Sequence, residues 1–223
     1  MKISLALVSL LLVAAFARAD MVIVQKVDGM GQSGKMTMKI CGDKIRADIS
    51  PQVSTITDAA TGQVTTLNHT QRSYMVFSSA MARSMTDQMK KVMQQMGAVP
   101  SASPAAPKAT GKADKINGYN AAEYTFSNGI LNATYWISSD FPNGKAVTDA
   151  LAKFQKGGLA DMTKAFSPDL SALPGVPVKT EVEISGQKIV TELISATEQS
   201  VDPGQYQVPA AYTEMKMPAM PGQ

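Results

Sequence analysis

The 223-residue sequence holds one cysteine, Cys41, one histidine, His69, and one tryptophan, Trp136. A single thiol cannot close an internal disulfide, so stability must come from a packed core. A chain of this length can bury enough surface for one such domain. One His and one Cys fall short of a zinc-type centre, which needs three or four His, Cys or carboxylate ligands. Asp-x-Asp clusters of the calcium-loop kind are absent, and no Gly-rich phosphate loop precedes a helix. His69 lies in the polar run LNHTQRSY without a nucleophile-elbow pattern, the context a Ser-His-Asp hydrolase would need. The expectation is a protein that is not an enzyme and needs no cofactor.

Long apolar runs are scarce too. The single candidate is Ile3 to Ala17, preceded by Met1-Lys2 and followed by Ala17-Arg18-Ala19. A short positive region, about fifteen apolar residues and an A-x-A site read as a secretory signal peptide over residues 1–19. The run is short for a bilayer span, and nothing later is apolar enough, so no transmembrane segment is expected after cleavage. The expected location is periplasmic or secreted. Removing Lys2 and Arg18 takes the 21 Lys and Arg to 19 against 18 Asp and Glu, a net charge of about +1. Such a chain offers no field for nucleic acid or an anionic membrane surface.

What is present is a set of short turns between runs of alternating polarity. Taking Asn128-Gly129 as a two-residue loop pairs Phe126 with Leu131, Tyr124 with Ala133 and Ala122 with Tyr135. Taking Gly42-Asp43 pairs Ile40 with Ile45, Met38 with Ala47 and Met36 with Ile49. Lys39 then faces Arg46, a like-charge pair that belongs on a solvated face. Taking Ser185-Gly186 pairs Val182 with Ile189, Val178 with Leu193 and Glu183 with Lys188. A fourth turn at Thr61-Gly62 pairs Ile56 with Leu67 and Thr57 with Thr66. Three hairpins thus sort into one apolar and one polar face, the pattern of an antiparallel sheet covered on one side. Further strands are expected at Met21 to Val27 and Arg72 to Phe77, and the close turns favour a meander.

Two helices are expected. Over Ala80 to Met96, Met81, Met85, Met89 and Met93 recur every fourth residue, an amphipathic period. A second runs from Lys145 to Lys156, broken by Gly157-Gly158. Between them, residues 97–114 (GAVPSASPAAPKATGKAD) read as a Pro/Ala-rich flexible loop within one domain spanning 20–218. Residues 219–223 read as a disordered tail. Asn68-His69-Thr70 and Asn132-Ala133-Thr134 match the short N-glycosylation pattern.

The fold class expected is mainly β, a curved antiparallel sheet forming an open half-barrel under one or two amphipathic helices. Its concave face would be apolar. If the helices fill it, it is a core; if they form a lid, it is a pocket. Methionine is the one unusual abundance, 15 in all. Thioethers suit Cu(I), and Met36-x-Met38 and Met215-x-Met217 could serve it. The plainer reading makes the methionines adaptable core or lid residues.

The segments GKMTMKICGDKIRADI, KINGYNAAEYTFSNG, YWISSDFPN, LPGVPVKTEV and QVPAAYTEMKMP, in this order, resemble an exported bacterial family known as domain of unknown function 4412. The resemblance runs from about Met21 to Pro218. It implies no catalytic residues. It implies a fold similar to the periplasmic lipoprotein carrier and its outer-membrane receptor, half-barrels that hold acyl chains. The expected function is binding of a lipid or other apolar ligand by an exported protein. Met36, Met38, Ile40, Tyr124, Phe126, Tyr135, Val182, Ile189 and Leu193 would line the sheet, with Met85, Met89 and Met93 opposite. The alternative is a structural module with an envelope protein partner.

Overall fold

The computed structural model describes residues 19–29, 32–95, 106–128, 131–154, 168, 170, 173–184 and 186–216. All of the predicted signal peptide except Ala19, and the 219–223 tail, lie outside them. The elements run β1 (Asp20–Gly29), β2 (Gln32–Cys41), β3 (Lys44–Asp48), β4 (Val53–Asp58), β5 (Gln63–Asn68), β6 (Ser73–Phe77), α1 (Ser79–Gln95), β7 (Lys108–Ile116), β8 (Tyr119–Ser127), β9 (Leu131–Ser138), α2 (Gly144–Phe154), β10 (Val176–Ile184), β11 (Gln187–Gln199), a 3-10 turn (Pro203–Tyr206) and β12 (Thr213–Glu214). They build one open 12-stranded sheet in the order β12-β6-β5-β4-β3-β2-β1-β11-β10-β9-β8-β7. Every pairing is antiparallel except β12 with β6. The chain thus makes two meanders, and β11 returns beside β1 to join them.

The sheet has to be strongly curved. Ile45 on β3 and Ala121 on β8 belong to one buried cluster with Val147 and Ala150 of α2. Six strand spacings separate β3 from β8, about 29 Å if the sheet were flat. Phe141, at the entry to α2, meets Tyr119 of β8, and Lys153 near the helix end bonds the Gly42 carbonyl between β2 and β3, so a helix of about 16 Å reaches both and the strands curl around it. The Asn117 side-chain amide also donates directly to the Leu193 carbonyl, 3.1 Å away and three strands along the sheet order. Irregularities in register at Val24/Gln25 on β1 and Pro177/Lys179 on β10 supply the bends.

The sequence registers hold at two hairpins and move at two. Met38↔Ala47 and Ile40↔Ile45 pair as expected, as do Val182↔Ile189 and Glu183↔Lys188. The β8–β9 pairing is instead shifted by two residues: Phe126 faces Ala133, Tyr124 faces Tyr135 and Ala122 faces Ile137. Asn128, the residue after β8, closes the hairpin. Its backbone N–H donates to the Leu131 carbonyl at 3.2 Å, and its side chain accepts from the Leu131 N–H at 2.8 Å. A shift of two keeps each residue on its face, so the polarity pattern alone could not detect it.

The Thr61-Gly62 hairpin is shifted likewise, with Ile56↔Thr65 and Thr57↔Val64. Here Asp58 decides the loop. Its carboxylate accepts from the N–H groups of Ala60 and Thr61, and its carbonyl accepts from Gly62, which widens the loop to Ala59–Gly62.

Two further expectations are corrected. The loop over 97–114 is too long, because Lys108–Ile116 forms edge strand β7, exposed along nearly its whole length. A polar segment can form such a strand when the neighbouring edge supplies its backbone partners, and lysines suit that position. Nor is the sheet covered on one side only. Around β4 and β5 the face opposite α2 buries Ile56 and Leu67. The C-terminal run crosses this side, with the 3-10 turn at β3 and β12 along β6.

Ile23, on the central strand β1, is wholly buried. Ile23→Ala is predicted to lower stability by about 2–5 kcal/mol in urea unfolding. Gly175 sits where a Cβ would strike the Ser138 carbonyl. Gly175→Ala is therefore predicted to lower stability by about 1–3 kcal/mol in the same assay.

Candidate functional site

The concave face is filled beneath α2. Phe141 stacks on Tyr119 with ring centroids 4.6 Å apart and begins the turn into the helix. The Gly144 N–H donates to the Phe141 carbonyl at 3.0 Å, and Val147 N–H donates to Asn143 at 3.1 Å. The chain therefore enters α2 with Val147 and Ala150 turned onto Met21, Ile23, Met38, Ile40, Val176, Val178 and Leu193. At the other end, the Lys153 ammonium donates to the Gly42 carbonyl at 3.2 Å. A second cluster holds Phe126, Ala133, Tyr135 and Ile137, with Leu170, Leu173 and Val182 against it. Burial pushes the Tyr135 hydroxyl up to about 12, which keeps it neutral.

Five of the twelve sequence-predicted site residues are core. Met38, Ile40 and Leu193 lie in the α2 cluster, and Phe126 and Tyr135 in the second. Met36 packs at the edge of the first cluster, while Tyr124 and Val182 pack on the second. Ile189 is half-buried opposite Val182. Met85 is half-buried on α1. The side chains of Met89 and Met93 lie outside the described residues. α2 packs on the apolar face, while on the methionine-striped α1 Ala82 is buried. Of the copper candidates, Met38 is core, Met215 is exposed and Met217 lies outside the described residues.

An open cleft lies beside α2. About 520 Å³ is enclosed between the helix, the start of β10 and the segment leading to it. Its apolar wall is Phe141, Leu151, Leu170, Leu173, Pro174 and Pro177, and Gln25, Lys145 and Thr148 contribute polar groups. The volume falls in the usual range of small-molecule sites, about 300–1,000 Å³. None of the twelve sequence-predicted residues lines it. The available signal was the prolines of LPGVP beside the amphipathic second helix, which put rigid apolar chain next to a helix flank. A second depression, of about 500 Å³, is bordered by Lys108, Thr125, Thr134, Glu181 and Lys188 and reaches Phe126 and Val182. Its lining is mixed, polar and apolar in nearly equal measure.

The other face carries a continuous hydrogen-bond network, and His69 is part of it. Asp48 lies between Lys39 (2.7 Å) and Arg46 (2.7 Å), so the like-charge pair expected in solvent is instead neutralised and largely covered. Lys39 also donates to the Gln205 side chain and Arg46 to the Gln205 carbonyl. Burial raises the Asp48 pKa, but hydrogen bonds from Lys39, Ser54 and Arg46, with the Arg46 charge, outweigh it and hold the carboxyl at about 2. Ser54, almost wholly buried, donates to Asp48 at 2.7 Å and lies 2.7 Å from His69 Nε2. Since its one proton goes to the carboxylate, His69 donates from Nε2, and neutral His69 accepts from the Tyr212 hydroxyl at Nδ1, 2.7 Å away. The order is Asp-Ser-His, with the serine in the middle. It staples the C-terminal run and does not activate a nucleophile, which needs the histidine between acid and serine. Among the described residues no group of three or more His, Cys, Asp or Glu could hold a metal ion, and no helix is long and apolar enough to cross a membrane.

A depressed carboxylate stabilises the fold above its unfolded pKa of about 3.9. That stabilisation should be lost as pH falls through about 2. Asp48→Asn is predicted to cost about 2 kcal/mol at pH 7, and the difference from the parent should shrink between about pH 4 and pH 2 in urea titrations. Phe126→Ala is predicted to cost about 3–5 kcal/mol, the penalty of a packed aromatic rather than a pocket wall.

Among solved structures, two crystal forms of PNGF-II resemble the chain at 13% and 12% identity, with TM-scores of 0.42 and 0.41. Each match covers 89% of this chain, which spans only 31% and 32% of the PNGF-II chains. An uncharacterised conserved protein from Thermus thermophilus matches at 7% identity and a TM-score of 0.49, over 91% of this chain and 92% of its own. No curated protein matches the sequence. A family model described as domain of unknown function (DUF4412) matches residues 20–212, from the first residue of β1 to the Tyr212 staple, and the chain belongs to that family.

Proposed function

We propose that this is an exported protein that binds an apolar ligand, a lipid or acyl chain, in the cleft beside α2. The observation that carries the reading is the cleft itself: Leu151 of the helix, Leu170, Leu173 and Pro174 of the approach to β10 and Pro177 at its start stand around an open volume of about 520 Å³. An acyl chain is recognised by apolar area and shape, with few polar contacts. That chemistry needs no histidine, thiol or metal, in keeping with a sequence that has one of each of the first two. Export is supported by the signal-like run ahead of Asp20, where both β1 and the family match begin. A protein partner is the second reading, favoured by the exposed edge strand β7, which offers backbone groups for strand addition.

Native mass spectrometry of the protein purified from its own host, with solvent extraction of anything bound, tests the ligand. A stoichiometric extra mass that extracts as lipid is the expected result. A bare protein that also takes up no added fatty acid or phospholipid would count against the cleft and turn the search to β7. Thr148→Trp, which places a ring in the cleft from the partly exposed side of α2, is predicted to lower uptake of a fluorescent fatty acid at least about tenfold while leaving the melting temperature within about 2 °C.

A further inference from the structure

Asp20 is only 3% exposed, yet it carries a carboxylate. Its side chain accepts a hydrogen bond from the Tyr206 hydroxyl at 3.1 Å, and this contact is buried. Burial, the negative charge of Asp20 and this hydrogen bond raise the Tyr206 pKa, so a neutral phenol is the partner over the whole physiological range. Among the described residues no cation forms an ion pair with Asp20. Lys39 and Arg46, on the same face, are both engaged by Asp48 and Gln205. A buried carboxylate with only a neutral donor is costly, and a charge of opposite sign nearby would offset much of that cost.

The chain supplies such a charge by one hydrolysis. Ala17-Arg18-Ala19 stands directly before Asp20, and Ala19 is exposed where Asp20 is buried. Water adds across the Ala19–Asp20 peptide bond. The Ala19 carbonyl carbon keeps the hydroxyl and leaves as a carboxylate; the Asp20 nitrogen keeps the bonding electrons and takes up protons to become an ammonium. The peptidase implied is one that accepts small residues at Ala17 and Ala19. The new ammonium is separated from the Asp20 carboxylate by two carbons, so covalent geometry alone holds them within about 4 Å. At that range, beside a carboxylate that is buried in the fold, a unit charge acts strongly.

We propose that the free amino terminus of Asp20, produced by cleavage after Ala19, is part of the folded structure: it is the counter-ion of the Asp20 carboxylate beneath Tyr206. This rests on the export reading for the cleavage and on the buried Asp20–Tyr206 contact for the role of the amine. It also gives a reason for β1 to start at the cut. Asp20 pairs with Gln199 on β11, and Met21 pairs with Ile40 on β2, so the new terminus is inserted between two strands rather than left free.

The test compares the chain beginning at Asp20 with a free amine against the same chain N-acetylated, each also made as Asp20→Asn. Acetylation removes the charge and keeps the strand. The expected result is a melting temperature lower by about 2–4 °C on acetylation of the parent, and by less than about 1 °C on acetylation of the variant. Equal losses in both backgrounds, or none in either, would overturn the ion pair. Intact-mass measurement of the protein from its own host separates this from the export reading. A start at Asp20 supports the processing; a start elsewhere would overturn the cleavage site whatever the melting data show.

Discussion

The contact between α2 and the concave face of the sheet is the constraint on which the rest depends. Val147 is wholly buried in a cluster whose members come from strands at both ends of a seven-strand span. A single helix can touch all of them only if the strands wrap around it, so its burial and the curvature of the sheet are one event. Bulges on β1 and β10 accept the bend. Gly175 permits the close approach of the chain to the Ser138 carbonyl just before β10 begins. Once the curl exists, the flank of α2 and the rigid approach to β10 no longer meet along their whole length, and a cleft remains between them.

The outer face solves a different problem. Strands β2 to β5 carry charge and apolar bulk on the same side, Lys39, Arg46 and Asp48 beside Ile56 and Leu67. A bare face of that kind would waste the apolar area. The C-terminal run covers it, and its backbone and side chains also complete the polar network through Gln205, Tyr206 and Tyr212. His69 and Ser54 are consumed in holding this run, which is why their proximity does not amount to a catalytic pair. Two residues remote in sequence from the network, Gln205 and Tyr212, decide what its central groups can do.

Hairpin registers show how far side-chain pattern reaches. Gly42-Asp43 and Ser185-Gly186 pair as the apolar alternation requires. At Asn128 and Asp58 the side chain bonds the loop backbone and moves the ladder by two residues. Alternation has a period of two, so it is blind to that shift. The expected ligand face had the same blindness: a buried apolar residue reads alike whether helix or ligand covers it. Met38, Ile40 and Leu193 proved to lie under α2, while the cleft is walled by Leu151, Leu170 and the prolines.

By itself the sequence determined the fold class, most of the strands, both helices to within two residues and the face of each hairpin residue. These follow from local periodicity, turn chemistry and composition, which act over a few residues. Only the tertiary structure decided which helix packs on the sheet, how β11 joins the two meanders beside β1, that the polar face is roofed by the C-terminal run, and where an open volume remains. Those outcomes depend on groups more than a hundred residues apart, such as Lys39 with Gln205 and Asp20 with Tyr206, competing for the same buried space. No local pattern records that competition, because its result is set by the sum of contacts in the packed chain.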